Sequence, residues 1–458
     1  MEEHNDFTKG SIPKNIMSMA LPMTLAQVIN LLYNIVDRIY IGRIPVEGTL
    51  ALTGLGLTFP VITILSAFAN LFGMGGAPLC SIARGKKEYK RAENLMKCSY
   101  TLLVFTGVGL MAVGFIFMKP VLYAFGASDV IYPYARDYLQ LYLLGTAFVM
   151  ISLGMNNFIN AQGFGKIGMY TILCGAVSNL VLDPVFIFGF HLGVRGAAIA
   201  TVLSQCFSAF FAIKFLSGPR AILRLNPKKF FLDWKLAKEI TAMGISGFTL
   251  AATNGAVQIV CNAQLQNFGG DLYIGVMTIL NSVRDILTMP VTGITNGAQP
   301  VIGFNYGAGE NRRVRESIRF ITGACLLYTS LAWLCVVLFL ELFIHIFNGS
   351  GELMEEAVPA LHIYFFGFIF MTLQFSGQAT FVALGKAKQA TFFSIFRKIV
   401  IVVPLAVLLP YIKQLGVNGV FWSEPISNLI GGTACFMTMM LTVWRKLGQP
   451  KKHSQSAS

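Results

Sequence analysis

Two aspartates carry the strongest chemical signal in this chain. Asp37 and Asp183 each interrupt a long apolar stretch, where an ionisable residue is costly and is functional by default. Asn179 lies four positions before Asp183, one helical turn away, so both point the same way. Thr201 lies near the start of another apolar stretch. Two carboxylates, an amide and a hydroxyl form an oxygen-rich set. Such a set can share protons, because close like charges oppose double ionisation. It can also coordinate a hard cation through oxygen. The competing reading of Asp37 is plain neutralisation of its neighbour Arg38.

Other polar residues recur at helical spacing. Gln27, Asn30, Asn34 and Asp37 form one face, as do Asn254, Gln258 and Asn262, and again Asn281, Asp285, Thr288, Thr292, Asn296 and Gln299. Polar stripes on apolar helices line an aqueous cavity or hydrogen-bond neighbouring helices. In the second half the ionisable residues are Arg284, Asp285 and Glu424, the last before Pro425. Adjacent residues point apart on a helix, so one of Arg284 and Asp285 is expected to pair with Glu424. Met289 offers an adaptable apolar lining or ordinary packing.

The elements that carry these residues follow from composition. The chain has 458 residues, 55% hydrophobic and 12% charged, against roughly 25% charged in soluble domains. That excludes a cytosolic enzyme, a disordered chain and a secreted disulfide scaffold. A membrane-crossing helix needs about 20 apolar residues. Twelve spans are read at 16–41, 49–83, 97–118, 136–160, 168–190, 195–215, 238–263, 272–303, 318–341, 357–384, 389–412 and 416–444. Glu2, Glu3 and Asp6 precede the first span, so no cleavable signal peptide is expected. The eight cysteines show no metal-type spacing.

The net charge of +14 has a topological cause. With the N-terminus inside, the inner segments collect most Lys and Arg, among them Arg84 to Lys97, the cluster from Lys214 to Lys238, Arg312 to Arg319, Lys386, Lys388, Arg397, Lys398, Lys451 and Lys452. The outside keeps Arg43, Lys119, Arg136, Arg195 and Lys413, with Arg38 and Arg284 left inside spans. This is the positive-inside pattern, and it puts both termini in the cytoplasm. Asp37 and Asp183 then fall in the outer halves of their spans. Basicity is explained without nucleic acid as a partner.

The chain also repeats itself. Pro78 and Pro300, Gly85 and Gly307, and Glu88 and Glu310 share an offset of 222, and Leu192-Gly193-Val194-Arg195-Gly196 returns as Leu415-Gly416-Val417-Asn418-Gly419 at 223. An offset that crosses six spans preserves orientation. Two parallel lobes are expected, 1–226 and 227–458, of the kind that rock about a midplane site rather than form a static pore.

Several motifs together resemble the multidrug and toxic compound extrusion (MATE) family, in its DinF-like and MepA-like branches. They are the span 1 run from Leu31 to Gly42, Asn160-Ala161-Gln162-Gly163, the run from Asn179 to Gly189, Gly196 to Thr201, Gln299 to Gly309, and Trp422-Ser423-Glu424-Pro425. The resemblance covers nearly the whole chain. It implies an all-α integral membrane protein with twelve transmembrane helices in two pseudo-symmetric six-helix lobes, V-shaped around a central cavity. It implies export of bulky, mainly cationic compounds (organic cations, dyes, drugs) from the bacterial plasma membrane by a monomeric, non-enzymatic antiporter. No cofactor is implied; a proton or sodium ion drives transport. Asp37, Asn179, Asp183 and Thr201 match the cation-coupling positions of the DinF-like branch, where sodium is the metal to consider. Gln27, Asn30, Asn34, Asn157, Gln258, Asn281, Arg284, Asp285, Met289 and Glu424 are the expected substrate-cavity residues. Ser246 stands where the family's seventh helix often has a proline answering Pro22, which leaves the bend of span 7 open. The alternative cargo is a lipid-linked precursor or an anionic metabolite, ranked lower because only Arg38 and Arg284 are read as intramembrane cations.

Overall fold

The computed structural model describes residues 6–45, 48–339, 344 and 352–449. Glu2, Glu3, Lys451, Lys452 and the last two residues read for span 9 lie outside them. Every regular element among the described residues is helical. The first half contains α1 (Ile12–Gly42), α2 (Gly48–Gly85), α3 (Tyr89–Ala124), α4 (Tyr132–Leu144), α5 (Thr146–Ala161), α6 (Gly165–Pro184) and α7 (Gly193–Ser217). A continuous element, Trp234–Ala308, breaks at Gly270 (φ 72°, ψ −164°) into α8 (234–269) and α9 (271–308). Then follow α10 (Asn311–Leu338), α11 (Glu352–Phe365), α12 (Phe368–Ala383), α13 (Ala387–Ile395), α14 (Val403–Leu408), α15 (Asn418–Ser427), α16 (Thr433–Met439) and α17 (Arg445–Leu447). π-helical turns continue α6 at Val185–Gly189, join α13 to α14 at Phe396–Val402, and carry the last span through Asn428–Gly432 and Met440–Trp444.

Nine of these helices are long and apolar enough to cross a membrane. The pairs α4–α5 and α11–α12, bent by 58° and 46°, each add one crossing. With α8 and α9 counted separately, the described residues supply the twelve crossings. The surface of α1 shows why the pattern is that of a membrane helix. Leu21, Leu25, Val28, Leu32, Ile35 and Ile39 recur every three or four residues and all are exposed. An apolar stripe of this length facing outward is stable against lipid. The opposite face turns Ala26, Asp37 and Ile41 into the protein.

The chain divides into two compact units, Met17–Ala251 with the first residues, and Ala252–Ser458 with Phe7–Ile16. In the first, Leu95, Met96, Leu103 and Phe158 centre one buried cluster, and Ile41, Leu122, Tyr138 and Leu139 another. In the second, Leu265, Val283, Phe365 and Phe421 form the core. Phe7–Ile16 is tied to the second unit by polar bonds. Arg313 donates to the carbonyls of Phe7, Lys9 and Gly10 at 2.9–3.1 Å, Asn305 donates to the Phe7 carbonyl at 3.1 Å, and the Phe7 ring meets Phe304 edge-on.

The sequence repeat is a backbone repeat. Lys87 (φ 63°) and Gly309 (φ 78°) are both left-handed, as are Gly163 and Gly385, and Gly193 and Gly416. The helix caps after the first pair agree closely, Glu88 at φ −83°, ψ 61° and Glu310 at φ −80°, ψ 65°. Lys87 holds a conformation that is cheap only for glycine, so the turn geometry is maintained even where glycine is absent.

Candidate functional site

Three helices of the first unit assemble the acidic cluster. α1 brings Asp37, the last two turns of α6 bring Asn179 and Asp183, and α7 brings Thr201. The Asn179 amide donates to Asp183 Oδ1 at 3.2 Å and to Thr201 Oγ1 at 3.5 Å. The Asp37 and Asp183 carboxyls are close enough for the charge of one to act on the other. Asp37, Asn179 and Asp183 are 9%, 2% and 0% exposed. Asp37 Oδ1 and Asp183 Oδ2 are buried with no hydrogen-bond partner. Buried polar atoms are nearly always satisfied, so two bare carboxylate oxygens demand an explanation. Pro184 follows Asp183 and donates no N–H to the helix, and the chain widens into a π turn directly after it. Such turns are frequent at functional sites. Arg38 does not pair with Asp37; its guanidinium lies over the Phe59 ring, 4.7 Å from the centroid.

Beside this cluster is a cavity of 240 Å³, lined by Asn30, Tyr33, Asn34, Tyr142, Asn179, Thr201 and Gln205 among others. Its floor is polar: Ser152 donates to Gln205 Oε1 at 2.7 Å. Most of its lining is Asn, Gln, Ser, Thr or Tyr, so it offers many hydrogen-bonding groups to a ligand.

The second unit holds a smaller cavity, 30 Å³, lined by Gln258, Asn281, Arg284, Tyr364, Lys398 and Glu424 among others. Two sequence expectations need correction here. Arg397 and Lys398 are not in an inner loop. They are 6% and 3% exposed, within the π turn of span 11. A π turn sets neighbouring residues at a smaller angle than an α turn, so both face inward. Glu424, 5% exposed, therefore pairs with them and not with Arg284. Lys398 Nζ donates to its two oxygens at 3.0 and 3.2 Å, and Arg397 to Oε1 at 3.4 Å and to Asn428 Oδ1. A side chain at Gly431 would collide with the Arg397 stem. The adjacent Arg284 and Asp285 also do pair, at 2.9 Å, because the long guanidinium folds back along the helix.

From Arg284 the hydrogen bonds run one way. Nη1 donates to the Tyr364 hydroxyl at 2.8 Å, that hydroxyl to Asn281 Oδ1 at 3.2 Å, the Asn281 amide to Gln258 Oε1 at 2.9 Å, and the Gln258 amide to Asn262 Oδ1 at 2.9 Å. The expected cavity residues thus separate. Asn30 and Asn34 line the larger cavity; Gln258, Asn281, Arg284 and Glu424 line the smaller. Gln27, Asn157, Asp285 and Met289 line neither of the two. Asn157 donates to the Leu153 carbonyl at 3.0 Å, while its neighbour Asn156 reaches the larger cavity. Ser246 is buried and bonds the Met243 carbonyl at 2.8 Å.

The MatE family model matches residues 22–185 and 248–408, well over half of the chain. The chain belongs to the MatE family. A multidrug export protein MepA of Staphylococcus haemolyticus is 26% identical over 440 residues, 96% of this chain and 94% of that protein. MepA of Staphylococcus aureus is 25% identical over 438 residues, covering 96% and 95%. Among solved structures, MATE in the bent conformation superposes with a TM-score of 0.90 at 21% identity, covering 96% and 98% of the two chains. The outward-facing conformation of a multidrug resistance MATE family transporter gives 0.88 at 22% identity, again covering 96% and 98%. The likeness to these structures establishes the fold. As a MatE protein of the MepA-like branch, the chain is a multi-pass membrane transporter and not an enzyme.

In this MatE chain the sequence reading missed Tyr33, Tyr142, Asn156 and Gln205 at one cavity, and Tyr364, Arg397 and Lys398 at the other. Tyr33 adjoins Asn34 on the stripe already recognised. Arg397 and Lys398 sit mid-span between Phe396 and Ile399, a signal overridden by counting them with the inner loop.

Proposed function

We propose that this protein is a cation-coupled antiporter. It exports bulky, mainly cationic drugs or toxic metabolites across the bacterial plasma membrane by alternating access of lobes 1–226 and 227–458, with both termini cytoplasmic. The multidrug export named for its MepA relatives supports the cargo class. The buried pair Asp37 and Asp183, with a bare oxygen on each carboxyl, carries the reading. A proton or a sodium ion bound there relieves the repulsion between the two carboxylates. It also competes for the oxygens that the Asn179 amide now holds, and so alters how α1 seats against α6 and α7. Asn30, Tyr33 and Asn34 are on α1 and line the larger cavity, so ion binding and cargo binding act on one helix. That shared helix is the physical basis for coupling the two. A cationic cargo suits the ion-free, charged state of Asp37.

The test is efflux of an organic cation from proteoliposomes, first under a pH gradient alone and then under a sodium gradient alone. Export under one gradient identifies the ion, and no export under either defeats the proposal. A second reading, an anionic or lipid-linked cargo, gains from Arg397 and Lys398 being intramembrane. Competition of an organic cation against a lipid headgroup in the same vesicles separates the two.

A further inference from the structure

The two cavities are lined by equivalent positions of the repeat. At an offset of 224, Asn30 answers Asn254, Asn34 answers Gln258, and Asp37 answers Cys261; at 222, Ile62 answers Arg284, Tyr142 answers Tyr364, and Ala176 answers Lys398; at 223, Thr201 answers Glu424. The first member of each pair other than Asp37 lines the larger cavity, and every second member lines the smaller. The polar frame is retained while the charge changes sign. Where the first repeat has an acid the second has a cysteine; an isoleucine and an alanine are answered by an arginine and a lysine, and a threonine by Glu424, so the net charge at these positions goes from −1 to +1.

Around the smaller cavity, cations outnumber buried acids. Arg397 and Lys398 share the single carboxylate of Glu424. Both hydrogen bonds of the Lys398 ammonium end on Glu424, so of its three N–H groups one has no acceptor among the described residues. The partner of Arg284, Asp285, has a side chain 63% exposed. An unmatched buried charge is strongly unfavourable, and the cavity it borders has room for one or two water-sized species. Asn281 and Gln258 each commit one amide N–H to the hydrogen-bond chain and keep a second beside the cations.

We propose that this cavity is a binding site for a monovalent inorganic anion of halide size, held by Lys398 and Arg284 and walled by Asn281, Gln258 and Tyr364. Glu424 does not oppose it, because its charge is already matched by Arg397 and Lys398 together. The first repeat then presents an ion site for cations and the second presents its counterpart for anions. A larger anion such as a phosphate ester does not fit the volume.

The test uses the purified full-length protein in detergent, with sodium and ionic strength held constant and gluconate replaced stepwise by chloride. Saturable binding of radiolabelled chloride at about one site per chain is expected, displaced by bromide and not by sulfate. Asp37→Asn should leave it intact. Arg284→Gln should weaken it by about tenfold or more, the size expected for a charge-assisted contact. Cys261→Asp, which restores the acid of the first repeat, should abolish it without removing any existing bond. Absence of saturable binding to the unmodified protein overturns the proposal. So does equal binding by correctly folded Arg284→Gln and Cys261→Asp.

Discussion

The buried charges of the two units obey opposite rules. In the first, Asp37 and Asp183 are buried with one bare oxygen each, beside a cavity of 240 Å³. In the second, Glu424 is saturated by Lys398 and Arg397, beside a cavity of 30 Å³. Both sites are built at the same places in a duplicated six-helix plan. The first leaves two acids with bare oxygens beside a roomy cavity, and the second leaves a surplus of cations beside a small one. The two copies differ in charge at Asp37/Cys261, Ile62/Arg284, Ala176/Lys398 and Thr201/Glu424.

The contrast can be broken most severely at the acids themselves. Asp37→Asn and Asp183→Asn should each abolish drug resistance in cells, at membrane levels equal to the parent protein; resistance assays with a membrane blot decide this, and full resistance in both variants would remove the coupling role. The same change in the other unit should act on stability instead. Glu424→Gln leaves Arg397 and Lys398 buried without a carboxylate and should cost about 3–5 kcal/mol, read as a lowered thermal midpoint in detergent. Asp37→Asn, which removes a repelling charge, should be neutral or stabilising in that assay; equal losses in both would erase the distinction. The paired tyrosines sharpen it further. Tyr364 accepts from Arg284 and donates to Asn281, so Tyr364→Phe should cost about 1–3 kcal/mol. Tyr142 makes no hydrogen bond through its hydroxyl among the described residues, and Tyr142→Phe should stay within about 0.5 kcal/mol.

Much of this architecture was readable from residue order. Span lengths follow from apolar runs, and the repeat follows from Gly85/Gly307 and Glu88/Glu310. The four residues Asp37, Asn179, Asp183 and Thr201 do converge, because helical spacing puts Asn179 and Asp183 on one face. Three features lay beyond it. The positions of Arg397 and Lys398 depend on a π turn, which has no signature in α-helical periodicity. The Arg284–Asp285 pair depends on a side chain long enough to cancel the angle between neighbours. The correspondence of Ile62 with Arg284 emerges only when the repeat offset is applied to residues already known to line a cavity.

The Arg313 clamp bears on how the chain is made. Its bonds to Phe7, Lys9 and Gly10 join residues more than 300 positions apart, 303 in the nearest case. At synthesis rates of about 5–20 residues per second, roughly 15–60 s separate the emergence of the two partners. During that interval the first helix has already had to enter the bilayer. Its insertion therefore depends on its own apolar face, and the anchoring of Phe7–Ile16 is a late step of maturation, completed only after the ninth span has been delivered.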